Sequence, residues 1–276
     1  MAGGGPPPES APSLVDIHCH LLPGVDDGAE DIDMSLALID QGLADGIGAW
    51  VLTPHVLGPI DGRIDEVHRG IFDDLRDEVA RRGLPAELYL ASELMFQTDV
   101  EAVRACPSGT FNANGRYFLM EFPMDILPLH AEEVLFDYQM GGMRPIIAHP
   151  ERNASLAADP RIIARMVDRG ILMQVNAGSL AQHAPDRLRR LTEALIAAGE
   201  VHFVASDAHH PMWRPASLRP AYDRIAETTG EEVARRLCIE NPRRAIEGHR
   251  IATERPELPQ RVSWWRRRLE RWNLFR

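Results

Sequence analysis

The chain has 276 residues, 45% hydrophobic and 26% charged, which suits one large α/β barrel or two ordinary globular domains. Its formal net charge of -11 argues against a nucleic-acid-binding surface, and its 30 cationic residues are all Arg, with no Lys. Cys19, Cys106 and Cys238 are too few and too scattered for a disulfide framework or a Cys-rich zinc site.

Residues 1–13, rich in Gly, Pro and Ala, read as a disordered leader. They have neither the cationic start nor the apolar run of a signal peptide, and no later stretch approaches the roughly 20 apolar residues of a membrane span. A cytoplasmic protein is expected. Strands are predicted at Leu14–His18, Ala49–Pro54, Glu87–Ser92, Tyr117–Phe122, Pro145–His149, Ile171–Asn176 and Val201–Ser206. Helical spacing falls between them at Met34–Ala44, Glu66–Arg81, Ala131–Gly141, Arg161–Arg169 and Arg187–Ala198, and after them at Pro215–Thr228 and Glu231–Glu240. Seven strands in βα alternation imply a parallel sheet closed, or nearly closed, into a barrel spanning residues 14–250.

Residues 251–276 read as a linker and a basic aromatic helix. Trp265, Leu269 and Trp272 share one helical face, ringed by Arg266, Arg267, Arg268 and Arg271. Two readings of that segment stand equal: contact with anionic lipid at the inner membrane face, or docking on protein.

Metal-competent side chains gather at the C-terminal ends of the predicted strands, the rim where barrels build active sites: His18, His20, His55, Glu93, Glu121, His149, Asp207 and His209. His18 and His20, two apart in an extended strand, project to one face and can share a cation, with Cys19 packed behind. Asp207 and His209 repeat the arrangement. Glu93 and Glu121 add oxygens that can bridge cations and offset their charge, and such mixed nitrogen and oxygen ligation suits manganese, iron or zinc. Asp26-Asp27-Gly28 reads first as a turn. Arg152 and Arg214 follow ligand candidates closely, and a guanidinium beside a multimetal site can grip a phosphate with two hydrogen bonds.

Cys238 and Arg244 have the Cys-x5-Arg spacing of cysteine-dependent phosphatases, but the interval lacks Gly and carries Ile, Glu and Pro. It reads as helix and turn instead of a phosphate cradle. His68, His130, His183, His202, His210 and His249 lack any partner pattern and read as surface or packing residues.

The succession Asp16-Ile17-His18-Cys19-His20, Leu22 to Gly28, Thr53-Pro54-His55, Glu93, Glu121, Ile147 to Arg152, Ala205 to His209 and Asn241 to Arg244 resembles the PHP superfamily. More narrowly, it resembles the PHP-class protein-tyrosine phosphatases of bacterial capsular and exopolysaccharide operons, from about Leu14 to Gly248. The resemblance implies a distorted seven-stranded (β/α) barrel with two to three divalent ions, manganese first, with iron, zinc or magnesium as alternatives. It implies one metal on His18, His20, Glu93 and Asp207, and a second on Glu93, Glu121 and His149. Asp27, His55 and His209 would hold the third, and Arg152 and Arg214 the phosphate. The implied substrate is phosphotyrosine on a membrane tyrosine autokinase that controls polysaccharide export. Water activated by the bound metals would attack phosphorus.

Three departures stand out: the leader, the basic tail, and His210 where Asn is expected. Competing readings are a histidinol-phosphate phosphatase-like PHP enzyme, a PHP-type DNA-processing exonuclease that the acidic charge disfavours, an amidohydrolase-like barrel and a non-catalytic metal-binding regulator. The absence of Lys weakens the amidohydrolase reading, because dinuclear members commonly bridge their metals with a carboxylated Lys.

Overall fold

A computed structural model of the chain describes residues 13–252, so the expected leader and the aromatic tail lie outside the described residues. Among the described residues nine short strands run parallel to their neighbours. They are β1 (Leu14–Cys19), β2 (Ile47–Leu52), β3 (His55–Val56), β4 (Glu87–Leu90), β5 (Glu93–Met95), β6 (Tyr117–Glu121), β7 (Arg144–Ala148), β8 (Leu172–Asn176) and β9 (Phe203–Ala205).

One ladder runs β1-β2-β4 and another β3-β5-β6-β7-β8-β9. The two meet because β2 and β3 are halves of one strand position, as are β4 and β5. Across that break Ala91 donates to Leu52 O at 2.9 Å and Glu93 to Pro54 O at 3.0 Å. The other join lies between β9 and β1, where Cys19 and Ala208 form a parallel bridge. There Asp207 N–H donates to His18 O and His20 N–H to Ala208 O, each at 2.8 Å. Seven strand positions therefore form a ring, as the βα alternation predicted.

Two predicted strands, Ala49–Pro54 and Glu87–Ser92, stop short and resume as β3 and β5. Pro54 has no N–H to give the ladder, and Thr53 Oγ1 accepts the Cys19 N–H at 3.1 Å. Local signals end the helices where expected. Asp31 caps Ile32–Asp45 by accepting from Met34 N at 2.9 Å, and Gly46 stops it at φ 93°. Asp61 likewise caps Gly62–Arg81, accepting from Arg63 and Ile64. The short helices Val100–Ala105 and Asn241–Ile246 escaped the sequence reading, being too brief to show a period.

The ring is filled by alternate residues: Val15, Ile17, Ala49, Val51, Ala91, Leu119, Ile146, Leu172 and Phe203 form an inner cluster, with Phe111, Ile246 and Ile251 packed into it. The opposite parity, including Trp50, Leu52, Phe118, Met120, Met173 and Val204, packs outward with helix residues such as Leu36 and Leu75. Continued toward the strands' C-terminal ends, the inner parity reaches Glu93, Glu121 and Asp207. Packing thus aims the chemistry inward. Among the described residues no helix is long and apolar enough to cross a membrane.

Candidate metal centre

Strand β1 changes register between Asp16 and Cys19. Val15 and Ile17 already face the interior, so the shift lets His18 and His20 face it too, while Cys19 packs outward and donates to Val51 O. His149 and Asp207 hold positive φ, 32° and 55°. For residues with a Cβ this is strained backbone, found where the surrounding structure over-determines a functional position. At His149, one residue past the inward Ala148, the strained turn brings the ring back to the centre.

All nine candidate ligands fall into groups whose polar atoms could hold a cation: His20, Asp27, His55 and His209; His18, Glu93 and His149; His18, His20 and Asp207; His55, Glu93 and Glu121. The tightest set is His18, His20, Glu93 and Asp207. His18 Nε2 lies 3.2 Å from His20 Nε2. Glu93 Oε2 lies 3.1 and 3.3 Å from those two nitrogens, and Asp207 Oδ1 lies 3.5 and 3.4 Å from them. Four donors held tetrahedrally at about 2.1 Å from one cation stand about 3.4 Å apart.

Two further observations fit a cation. Glu93 Oε2, Asp207 Oδ1 and His55 Nδ1 are buried without a properly aligned hydrogen bond, although neighbours lie within reach. Such atoms are costly unless something else satisfies them. Asp27 Oδ1 also sits 3.5 Å from His55 Nε2 and 3.4 Å from His209 Nε2, again donors facing a common point. Glu93 turns its other oxygen to His149 Nε2 at 3.1 Å, which lies 3.5 Å from Glu121 Oε1. His18, His20, Glu93, Asp207 and His209 are all but inaccessible, whereas the Asp27 side chain is 69% exposed and that of His55 22%. The centre therefore opens on the Asp27–His55 side.

The electrostatics follow from this crowding. Burial opposes charge on Glu93, but the nearby His18, the hydrogen bond of His149 to its Oε1 and the close approach of His20 hold it well below the usual carboxylate range. Asp207 is depressed in the same way, against burial, by the nearby His18 and His20. Burial would lower His149, yet its hydrogen bond to Glu93 raises it to about 9. Glu121 is pushed up by burial and by neighbouring Glu93. Burial, together with cationic His20 and Arg214, lowers His209 to about 4. The raised imidazoles of His20, His55 and His149 offset the carboxylates here, and a divalent cation bound at this point would displace their protons.

Several residues that the sequence reading gave no role in the site support the candidate ligands. The turn at Asp26 is real, but Asp26 is also the partner of His20, with Oδ2 2.7 Å from Nδ1, and it accepts the His55 N–H at 2.9 Å. Gln174 Oε1 lies 2.9 Å from His18 Nδ1, which places that ring's proton on Nδ1 and frees Nε2. Gln174 Nε2 donates to Asn176 Oδ1 at 2.9 Å, and the Asn176 amide donates to Asp207 Oδ2. Buried Glu151 in turn accepts the Asn176 N–H at 3.0 Å and the Ser179 hydroxyl at 2.8 Å. Asp16 accepts from the Ser206 N–H at 3.0 Å and so ties β1 to the end of β9. For Asp16, Gln174 and Asn176 the available signal was a polar residue two from another in an otherwise apolar strand; Asp26, Glu151 and Ser179 lie outside the strands and carried none.

The two arginines differ. Arg214 reaches the centre, pairing with Asp207 Oδ2 and standing 3.1 Å from His209 Nε2. Arg152 is exposed on the loop after His149, joined to it by a backbone hydrogen bond of 2.9 Å, and its guanidinium has no polar partner among the described residues. Cys238 is fully buried in the π-helical turn Arg236–Glu240, its thiol pushed up to about 12 by burial. As the sequence suggested, no phosphate cradle forms there.

Residues 14–247 match the family model described as capsular polysaccharide synthesis, CpsB/CapC. The chain is 30% identical over 248 residues to the tyrosine-protein phosphatase YwqE of Bacillus subtilis, covering 90% of this chain and 97% of that one. It is 28% identical over 244 residues to the tyrosine-protein phosphatase CpsB of Streptococcus agalactiae serotype III, covering 86% of this chain and all of the relative. It also superimposes, with a TM-score of 0.78 and 30% identity, on a crystal structure from work on YwqE of Bacillus subtilis and CpsB of Streptococcus pneumoniae, described as metal-dependent tyrosine phosphatases. That match covers 89% of this chain and 99% of the other.

Proposed function

The chain belongs to the CpsB/CapC family of capsular polysaccharide synthesis, and from that premise we infer that it is a metal-dependent tyrosine-protein phosphatase. The observation that carries the reading is the close approach of His18, His20, Glu93 and Asp207, at separations a shared cation requires.

His18, His20, Glu93 and Asp207 hold one divalent ion, and Glu93 is shared with a second on Glu121 and His149. Asp27, His55 and His209 serve a third, and His20 lies close enough to join them. The mixed donor set suits manganese, with iron, zinc or magnesium also accommodated. When bound, the ions supply Lewis acidity and bring the pKa of water toward neutrality.

The chain's own side chains do the rest. Arg214, at the edge of the centre, holds phosphoryl oxygens and offsets their charge, and Arg152 reaches in from its loop when phosphate arrives. Asp26 and Gln174 keep the imidazoles of His20 and His18 in one tautomer. The leaving tyrosine oxygen has a parent pKa near 10, so it departs with little help from a proton donor.

The substrate is phosphotyrosine on a membrane tyrosine autokinase that controls polysaccharide export, met in the cytoplasm by the domain at residues 14–250. The basic aromatic segment beyond it gives two equal options, lipid contact or protein docking. Turnover of a phosphotyrosine panel, with metal analysis of the same preparation, tests the reading. Metal-loaded protein should release phosphate from phosphotyrosine in preference to histidinol phosphate, and failure on every aryl phosphate would refute it.

A further inference from the structure

A cleft of ≈ 1280 Å³ lies between the helices Asp186–Ala197 and Arg219–Thr229, beyond the ends of β8 and β9. Leu180, Leu191 and Ala221, each nearly inaccessible, contribute apolar surface to it. Trp213 and Arg214 also line it. Arg214 therefore belongs to two places, since its guanidinium also meets Asp207 and His209 of the metal centre.

Trp213 is 65% exposed and adjoins Met212, which is 84% exposed, so the two present apolar surface next to Arg214 in the chain. Trp213 is also held in place. The indole stacks on His210 at 5.0 Å and 18°, and His210 bridges Arg214 and accepts the Met212 N–H at 3.1 Å. An aromatic face fixed in this way loses little entropy when it covers a ligand.

Size and charge identify the ligand class. Pockets for small molecules run to about 300–1,000 Å³, and this cleft is larger. Its exposed charges are of both signs, Arg187 and Arg190 with Asp223 and Glu227, which suits a polypeptide better than a polyanion.

We propose that this cleft seats the extended polypeptide on one side of the phosphotyrosine, with Trp213 covering an apolar side chain next to it. The proposal rests on the phosphatase reading and adds a specificity surface to it. It predicts that the enzyme distinguishes a phosphotyrosine in a chain from a free one.

Gly178 supplies the test. It lines the cleft, is exposed, and a Cβ added there meets no atom within 4 Å, so Gly178→Trp starts an indole from an unobstructed position on the cleft wall. The measured quantity is the ratio of kcat/KM for a ten-residue phosphotyrosine peptide with flanking leucines to that for N-acetyl-phosphotyrosine amide. Metal content is checked in every sample. Wild type should favour the peptide by about tenfold, and Gly178→Trp and Trp213→Ala should each bring the ratio close to one. A ratio near one in wild type, or unchanged in both variants, overturns the cleft proposal and leaves the phosphatase reading standing. Loss of turnover on both substrates by metal-loaded wild type would instead overturn the reading on which it rests.

Discussion

Oδ2 of Asp26 lies 2.7 Å from Nδ1 of His20, and the same oxygen accepts the backbone N–H of His55 at 2.9 Å. One carboxylate thus orients two metal-candidate histidines from a turn, and its Oδ1 closes that turn by accepting the Gly28 N–H at 3.0 Å. Burial would raise Asp26, but its hydrogen bond to His20 holds it at about 2, so it stays charged across the working range. Asp26→Asn keeps the shape and loses the charge. Metal affinity or kcat should fall about 10–100-fold, with partial recovery in Asp26→Glu. Titration of the metal-free variant with manganese, alongside kcat and KM, checks this, and wild-type metal affinity with wild-type kcat would show that Asp26 serves the turn alone.

Glu93 faces four histidines: His18, His20, His55 and His149. Glu93→Gln should therefore be among the most damaging single substitutions, because it removes charge from the two cation positions proposed to share Glu93. Chelation should abolish wild-type activity and manganese should restore it. Metal at 100 times its Kd should also stabilise the fold by about 2.7 kcal/mol, a rise in Tm of several degrees. Full activity in a sample verified as metal-free would exclude the centre from catalysis.

Cys238 gives the opposite expectation. Its thiol is inaccessible and pushed up to about 12, so it supplies no thiolate nucleophile at neutral pH. Cys238→Ser should keep most of the activity at a small cost in Tm. Arg214→Ala should lower kcat/KM by about tenfold or more while metal stays bound. If Cys238→Ser abolished turnover with fold and metal intact, the cysteine mechanism would return.

His202 predicts an acid sensitivity that has nothing to do with the metal centre. Burial and the nearby Arg144 and Arg236 lower it to about 3, and its Nδ1 accepts the Met173 N–H at 3.1 Å, which requires the neutral ring. The folded value lies below the unfolded value of about 6.5, so the unfolded chain takes up the proton first. Stability from this group is complete above about pH 6.5 and is lost as pH falls toward 3. Between pH 7.5 and 5 the loss is about 2 kcal/mol. Thermal melts of metal-free protein should show a steeper fall in Tm for wild type than for His202→Gln, and parallel curves would count against the assignment.

Fold class and eight of the nine candidate ligands could be picked out from the residues because both are encoded locally, whereas Asp27 read as a turn and became a candidate only through the family resemblance. A parallel strand alternates its faces with period two, so an apolar run ending in His18 and His20, Glu93, Glu121 or Asp207 marks strand and rim together. Capping residues such as Asp31 and Asp61 likewise act within three residues of themselves. What tertiary structure alone decided is how the ring closes and what supports the ligands. Gln174 meets His18 across 156 residues and Ser206 meets Asp16 across 190, contacts that exist only once β8 and β9 have been brought round to β1. The inward return of His149 on strained backbone and the sharing of Arg214 between centre and cleft are of the same kind. Each depends on which strands become neighbours, and chain closure sets that where local periodicity does not.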